Sequence, residues 1–254
     1  MGYGPTRKEN KMQAKKDNKI LNQYQNYSKK KIILACILFL LLIALIFISL
    51  SLGSSSFGVR ESLQSFLFFF FPDSKGTIAY HIIWSLRLPR VLMGVVAGIA
   101  LGSSGLIMQS ILHNPLASPY TLGISSAASF GAALTIILRN SFTFLSTTTG
   151  YEVPTILSAF FFSAICILII YILSQKQKSS SGTIILLGIA MMYLFSAGLS
   201  LLQYIGDPDE LAELVYWMFG SLSRSNWSRL SISSILVFII LPFLFCTIIL
   251  PIDR

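Results

Sequence analysis

Between Val91 and Leu138 the chain carries no Asp, Glu, Lys or Arg. An uncharged run of that length is more than twice the ~20 residues that take a helix across a bilayer. It must fold back, and turn chemistry inside it occurs at His113–Pro119, which reads HNPLASP. Asn-Pro opens a turn, and the residue before each proline is pushed out of helical geometry. Asn114, Pro115 and Pro119 are therefore expected to form a tight hairpin between two membrane helices.

Both helices carry small residues at helical spacing. Gly94, Gly98 and Gly102 recur every fourth position with Gly105 beside them, and Gly123, Ala127 and Gly131 repeat the device more weakly. Lipid supplies no hydrophobic drive for helix association, so membrane helices pack through close backbone approach at small residues. These glycines are expected to pack helix on helix, which places both helices inside a bundle.

The whole chain fits this environment. Its 254 residues are 54% hydrophobic and only 11% charged, whereas soluble domains carry about 25% charge. The expected class is an all-α polytopic membrane protein. A formal net charge of +9 would suit a nucleic-acid partner, but nine of the 19 Lys and Arg precede Ile32, so no nucleic-acid surface is expected. Cys36, Cys166 and Cys246 fall in apolar runs and read as small buried hydrophobes. His81 and His113 stand far apart, with no Cys or carboxylate cluster near them. No catalytic residue, metal site or cofactor is expected.

In chain order, residues 1–31 form a basic, polar tail too poor in apolar residues to build a core, and disorder is expected there. It reads as a solvated cytoplasmic tail that sets topology, or as a basic segment on the membrane surface. Six membrane helices follow, at about 32–52, 89–112, 119–138, 154–173, 183–205 and 230–250, with a short outer helix at 208–219. Residues 53–84 form an outer loop whose aromatic stretch Phe66–Phe71 is too short to span. Gln175–Gly182 is a short basic inner loop. The fifth helix presents Gly188, Ser196, Ala197, Gly198 and Ser200, a face that either lines a pathway or packs. Asp207-Pro208 is a helix start, with a capping acid, proline at the first position and acids in the first turn. Asp207, Asp209, Glu210 and Glu213 read as a solvated helix N-terminus, with a cation site as the alternative. With the N-terminus inside, twelve Lys and Arg fall inside and seven outside, an orientation that leans on the tail.

Arg87 and Arg90 do not follow that pattern. Pro89 suits the first turn of a helix, so Arg90 is a cation where the macrodipole disfavours one, on the outer side. The pair reads either as interfacial arginines that snorkel to water or as a basic spot that meets a carboxylate-bearing partner through bidentate pairing.

LRLPR at Leu86–Arg90, then Gly98–Gln109 and NPLA-x-P-x-x-LG at Asn114–Gly123, together resemble the FecCD/BtuC family of ABC-importer permeases for iron–siderophore, haem and cobalamin. Ile99 stands where that family usually has a small residue, and Trp217 with Gly220–Trp227 (GSLSRSNW) extends the likeness. The resemblance implies a ten-helix permease fold in a cell membrane and no chemistry of its own. The implied partners are an extracytoplasmic substrate-binding protein on Arg87 and Arg90, a cytoplasmic ATPase subunit, and a second permease subunit. It also implies a cytoplasmic gate near Ser180, Ser181 and Gly182. The likeness covers about 32–254. The family's following L-x-x-G-E-x-A-x-x-L-G coupling segment and its last helices have no counterpart here, so a truncated or split permease is expected, with a non-transporting remnant or membrane scaffold as the alternative. A secondary transporter would need an ionisable residue at mid-membrane depth, and the spans hold no Asp, Glu, Lys or Arg at depth.

Overall fold

The computed structural model describes residues 7–51, 81–138, 152–176 and 180–249. The expected outer loop at 53–84, apart from its last four residues, and residues 139–151 lie outside the described residues. Among the described residues there are helices and turns: α1 (Arg7–Ser51), a π-helical turn (Ile82–Arg87), α2 (Leu88–Leu112), α3 (Ile124–Ile137), α4 (Glu152–Lys176), α5 (Ser181–Ile205), α6 (Pro208–Phe219) and α7 (Trp227–Ile249). Contacts divide the chain into two units, 1–91 and 92–254.

Five of the described helical stretches are long and apolar enough to cross a membrane: Tyr27–Leu50, Ile82–Leu112, Glu152–Gln175, Ser181–Ile205 and Trp227–Leu244. The third expected span is not among them. Residues 119–123 are turns, and α3 is 14 residues long, about 21 Å at 1.5 Å per residue, against a hydrocarbon core of about 30 Å. The cause is local. Pro119 starts a single turn closed by the Leu122 amide on the Ser118 carbonyl at 3.3 Å, and Gly123 then breaks it at φ +73°. A side chain there would be strained, and its Cβ would also meet the Met192 amide at 2.7 Å.

Two other expectations change. The basic tail is helical from Arg7, because Lys, Gln, Ala and Glu are good helix formers and the apolar run beyond Ile32 removes the cost of nucleation. The second span does not open at Pro89. It runs back through the π-helical turn, where the Leu88 amide bonds to the Ile83 carbonyl five residues earlier. A wide turn of this kind accommodates the missing proline N–H just after it.

The core of the second unit is built on α3, its shortest apolar helix, which packs against α4, α5 and α6. Ala127, Ala132 and Ala133 have no exposed surface. A Cβ at Gly131 would lie 2.6 Å from the Ser158 carbonyl oxygen, so α3 and α4 approach backbone to backbone. Ser158 Oγ donates to the Gly131 carbonyl at 2.7 Å, and Ser163 Oγ donates to the Ile124 carbonyl at 3.3 Å. Such bonds between membrane helices contribute about 0.6 kcal/mol on average. Phe130, Phe162 and Phe195 close the centre, with Phe130 edge-on to Phe162 at 5.1 Å. On α5, Gly188 lies against Leu122, Gly198 against Phe130, and Ser196 Oγ bonds to Ser126 Oγ at 3.4 Å. Packing therefore accounts for those three, while Ala197 and Ser200 stay exposed. Of the cysteines only Cys166 is buried. Cys36 and Cys246 are exposed on outward helix faces.

Candidate functional site

The chain reversal expected at Asn114, Pro115 and Pro119 coincides with the turns between α2 and α3. His113 takes φ +48° and ends α2. The Asn114 side chain accepts from the Leu116 amide at 2.9 Å, and the Ala117 amide closes a turn on the Asn114 carbonyl at 3.2 Å, with Pro115 at the position whose φ suits it. Ser118 and Thr121 then cap each other: the Ser118 amide donates to Thr121 Oγ1 at 2.9 Å, and the Thr121 amide donates to Ser118 Oγ at 3.2 Å.

The glycines divide into two groups. Gly123 and Gly131 are buried at close backbone approaches. Gly94 has one neighbour, with Leu222 at 3.4 Å from an added Cβ. Among the described residues, Gly98, Gly102 and Gly105 meet nothing within 4 Å. α2 thus presents most of its glycine face without a neighbouring helix among the described residues. Ser103 and Ser110 turn their hydroxyls back onto their own helix, to the Ile99 and Leu106 carbonyls, so the face is polar-satisfied and open.

Arg87 and Arg90 are not equivalent. Arg87 is half-buried and donates from Nη1 to the Leu50 carbonyl at 2.8 Å. The last carbonyls of a helix lack partners within the helix, and the last turn of α1 has no basic residue of its own. Arg87 supplies a cation from 37 positions away, where the macrodipole favours one. Arg90 is exposed at the start of α2. Ser180 is the N-cap of α5, its Oγ accepting from the Thr183 amide at 3.4 Å, and Ser181 and Gly182 form the first turn.

The acidic stretch resolves into separate roles. Asp207 caps α6, and Glu210 turns inward, buried, with its carboxylate accepting from the Asp207 amide at 3.2 Å. The inward stripe is Glu210, Leu214 and Trp217. Val215 and Met218 are exposed. Asp209 and Glu213 line a recess of about 920 Å³, together with Tyr216, Trp217, Ile136, Thr155 and the charged trio Glu152, Arg224 and Arg229. This trio is the feature that sequence reading did not find. Arg224 Nη1 donates to Glu152 Oε1 at 3.0 Å, and Arg229 Nη2 donates to Glu152 Oε2. Arg229 Nη1 also donates to the Arg224 carbonyl at 3.0 Å. Its one legible signal was an arginine in the first turn of α7, which calls for an anion by the same dipole argument as Arg90.

The FecCD transport family model matches residues 41–248. The chain is 35% identical over 212 residues to the molybdate import permease MolB of Haemophilus influenzae, covering 83% of this chain and 58% of that one. It is also 35% identical over 199 residues to the hemin transport permease HmuU of Yersinia pestis, covering 78% and 57%. An inward-facing structure of a metal-chelate type ABC transporter superposes with a TM-score of 0.60 at 31% identity, over 84% of this chain and 59% of that one. The chain thus spans somewhat under two thirds of the length of these relatives. With a family match over most of its residues, several membrane-length helices and the permease turn motif between α2 and α3, this multi-pass membrane protein belongs to the FecCD transport family.

Proposed function

We propose that the chain is a membrane-spanning permease subunit of a binding-protein-dependent ABC importer, with a metal chelate of the iron–siderophore class as cargo. The observation that carries this reading is the family match over residues 41–248. Relatives named for hemin and for metal chelates support the cargo class, and the molybdate relative sets the competitor to test against it. The subunit does no covalent chemistry. ATP is hydrolysed on a separate cytoplasmic subunit, a second permease subunit completes the pathway, and the N-terminus lies in the cytoplasm. Ser180, Ser181 and Gly182 narrow the cytoplasmic end. Each ligand shifts the balance between inward- and outward-open states only by its differential affinity for them.

The binding protein docks on the outer face with an acidic side chain on Arg90. Arg87 has a further task at the end of α1, where it holds the Leu50 carbonyl, so the charge is reversed at Arg90. Arg90→Glu is expected to weaken docking of the binding protein about tenfold or more while leaving insertion of the chain intact. Undiminished docking would reject the role of Arg90. The cargo is tested by uptake of a labelled ferric siderophore, with haem and molybdate as competitors, in cells carrying the assembled importer. Uptake of molybdate alone would replace the cargo assignment.

A further inference from the structure

α1 is a single helix of 45 residues that runs from Arg7 to Ser51 without interruption. Its membrane-length part begins at Tyr27, and Lys29, Lys30 and Lys31 are exposed at that boundary. The polar part before them sets its charges in a one-sided register. Arg7, Lys11, Lys15 and Lys19 recur every fourth position, and Lys8 and Lys16 fall beside them. At about 3.6 residues per turn all these positions lie within about half of the helix circumference, while Glu9 and Asp17 lie in the other half. Neither acid has a Lys or Arg three or four positions away, so the register provides no ion pair of the kind that stabilises a helix. It provides like-charge neighbours instead, at Arg7–Lys11, Lys8–Lys11, Lys11–Lys15, Lys15–Lys19 and Lys16–Lys19, and each disfavours the helix. The macrodipole adds positive character at the same end. An anionic surface laid along this side offsets all of these costs.

Lipid headgroups are out of reach of that side while the helix is unbroken. Along the axis Lys19 lies about 18 Å before Lys31, and Arg7 about 36 Å before it. Even at a tilt of about 40°, the upper end for membrane helices, both stay beyond the Debye length of about 8 Å. A second copy of the chain brings the same charge and is repelled. We propose that the basic side of α1 is a docking arm for the cytoplasmic ATPase subunit, which meets Arg7, Lys11, Lys15 and Lys19 with an acidic strip about 18 Å long. Lys29, Lys30 and Lys31 keep the separate task of holding the helix at the headgroups. The inference rests on the importer reading above, with the N-terminus in the cytoplasm.

The test uses the full chain assembled with its second permease subunit in lipid nanodiscs, and the purified ATPase subunit as probe. Arg7→Gln, Lys11→Gln, Lys15→Gln and Lys19→Gln in one chain keep good helix formers throughout. They are expected to weaken ATPase binding about tenfold and to flatten its salt dependence. Glu9→Gln with Asp17→Gln alters the other side of the helix and is expected to shift binding less than about twofold. On the wild-type chain, the ATPase subunit at about ten times its dissociation constant is expected to slow trypsin cleavage after Lys11, Lys15 and Lys19 about tenfold. Binding indifferent to the four substitutions overturns the inference. Marked tightening on removal of the two acids overturns it as well, because attraction then follows net charge and not one side of the helix. Protection of the same lysines by anionic nanodisc lipid alone assigns the arm to the membrane and overturns it too. A wild-type assembly that binds no ATPase subunit overturns the importer reading, and this inference with it.

Discussion

α2 and α3 use the same sequence device and meet opposite fates. Each carries small residues at four-residue spacing, yet Gly131 of α3 sits with its backbone against that of Ser158, while no described residue comes within 4 Å of where a side chain would be at Gly98, Gly102 and Gly105 of α2. α3 is too short to span and is buried among α4, α5 and α6. Among the described residues, the apolar stretch containing α2 is the longest, at 31 residues, and none of its most apolar window is buried. A small-residue motif therefore states that a backbone can be approached, not that it is. What decides is whether a neighbouring helix offers a matching backbone, as α4 does through Ser158.

The comparison breaks most sharply at Gly131. Gly131→Ala places a methyl 2.6 Å from a backbone oxygen that cannot rotate away, and a loss of about 2–3 kcal/mol is expected, read by denaturation of the chain in detergent with circular dichroism. A loss below that of an ordinary surface change would mean that α3 and α4 are further apart than described. Next comes Ser158→Ala, which removes the hydroxyl donated to the Gly131 carbonyl and is expected to cost about 0.6 kcal/mol. Loss of the bond without loss of stability would assign the α3–α4 contact to backbone packing alone.

The smallest effect is expected on α2. Gly102→Ala meets no atom of the described residues, and replacing a helical glycine by alanine favours the helix by up to about 1 kcal/mol, so stability should hold or rise slightly. If the same substitution abolished assembly with the proposed partner subunits while the chain itself stayed folded, the open face would belong to an intermolecular contact, and the difference between α2 and α3 would be one of partner rather than of packing.

Much of the architecture was legible because membranes impose local rules. A helix must be long and apolar to cross, and a long uncharged run must turn where proline and asparagine permit it. The start of α6 at Asp207-Pro208 follows from capping chemistry contained within four residues. α3 was misjudged because hydropathy counts apolar residues without seeing that Gly123 takes φ +73° and leaves 119–122 as a separate turn. The N-terminal helix was missed because a polar composition that cannot build a core can still continue a helix begun by its apolar neighbour.

The sequence by itself determined which segments are apolar enough for lipid, where the chain turns, and which residues are charged at helix starts, since each depends on near neighbours along the chain. Only the tertiary structure decided what those residues touch. Arg87 reaches the Leu50 carbonyl across 37 positions, and Glu152 gathers Arg224 and Arg229 across 72 and 77. No local pattern encodes these pairings. Which glycine face closes and which stays open was settled in the same way, because the approach of two backbones depends on both helices at once.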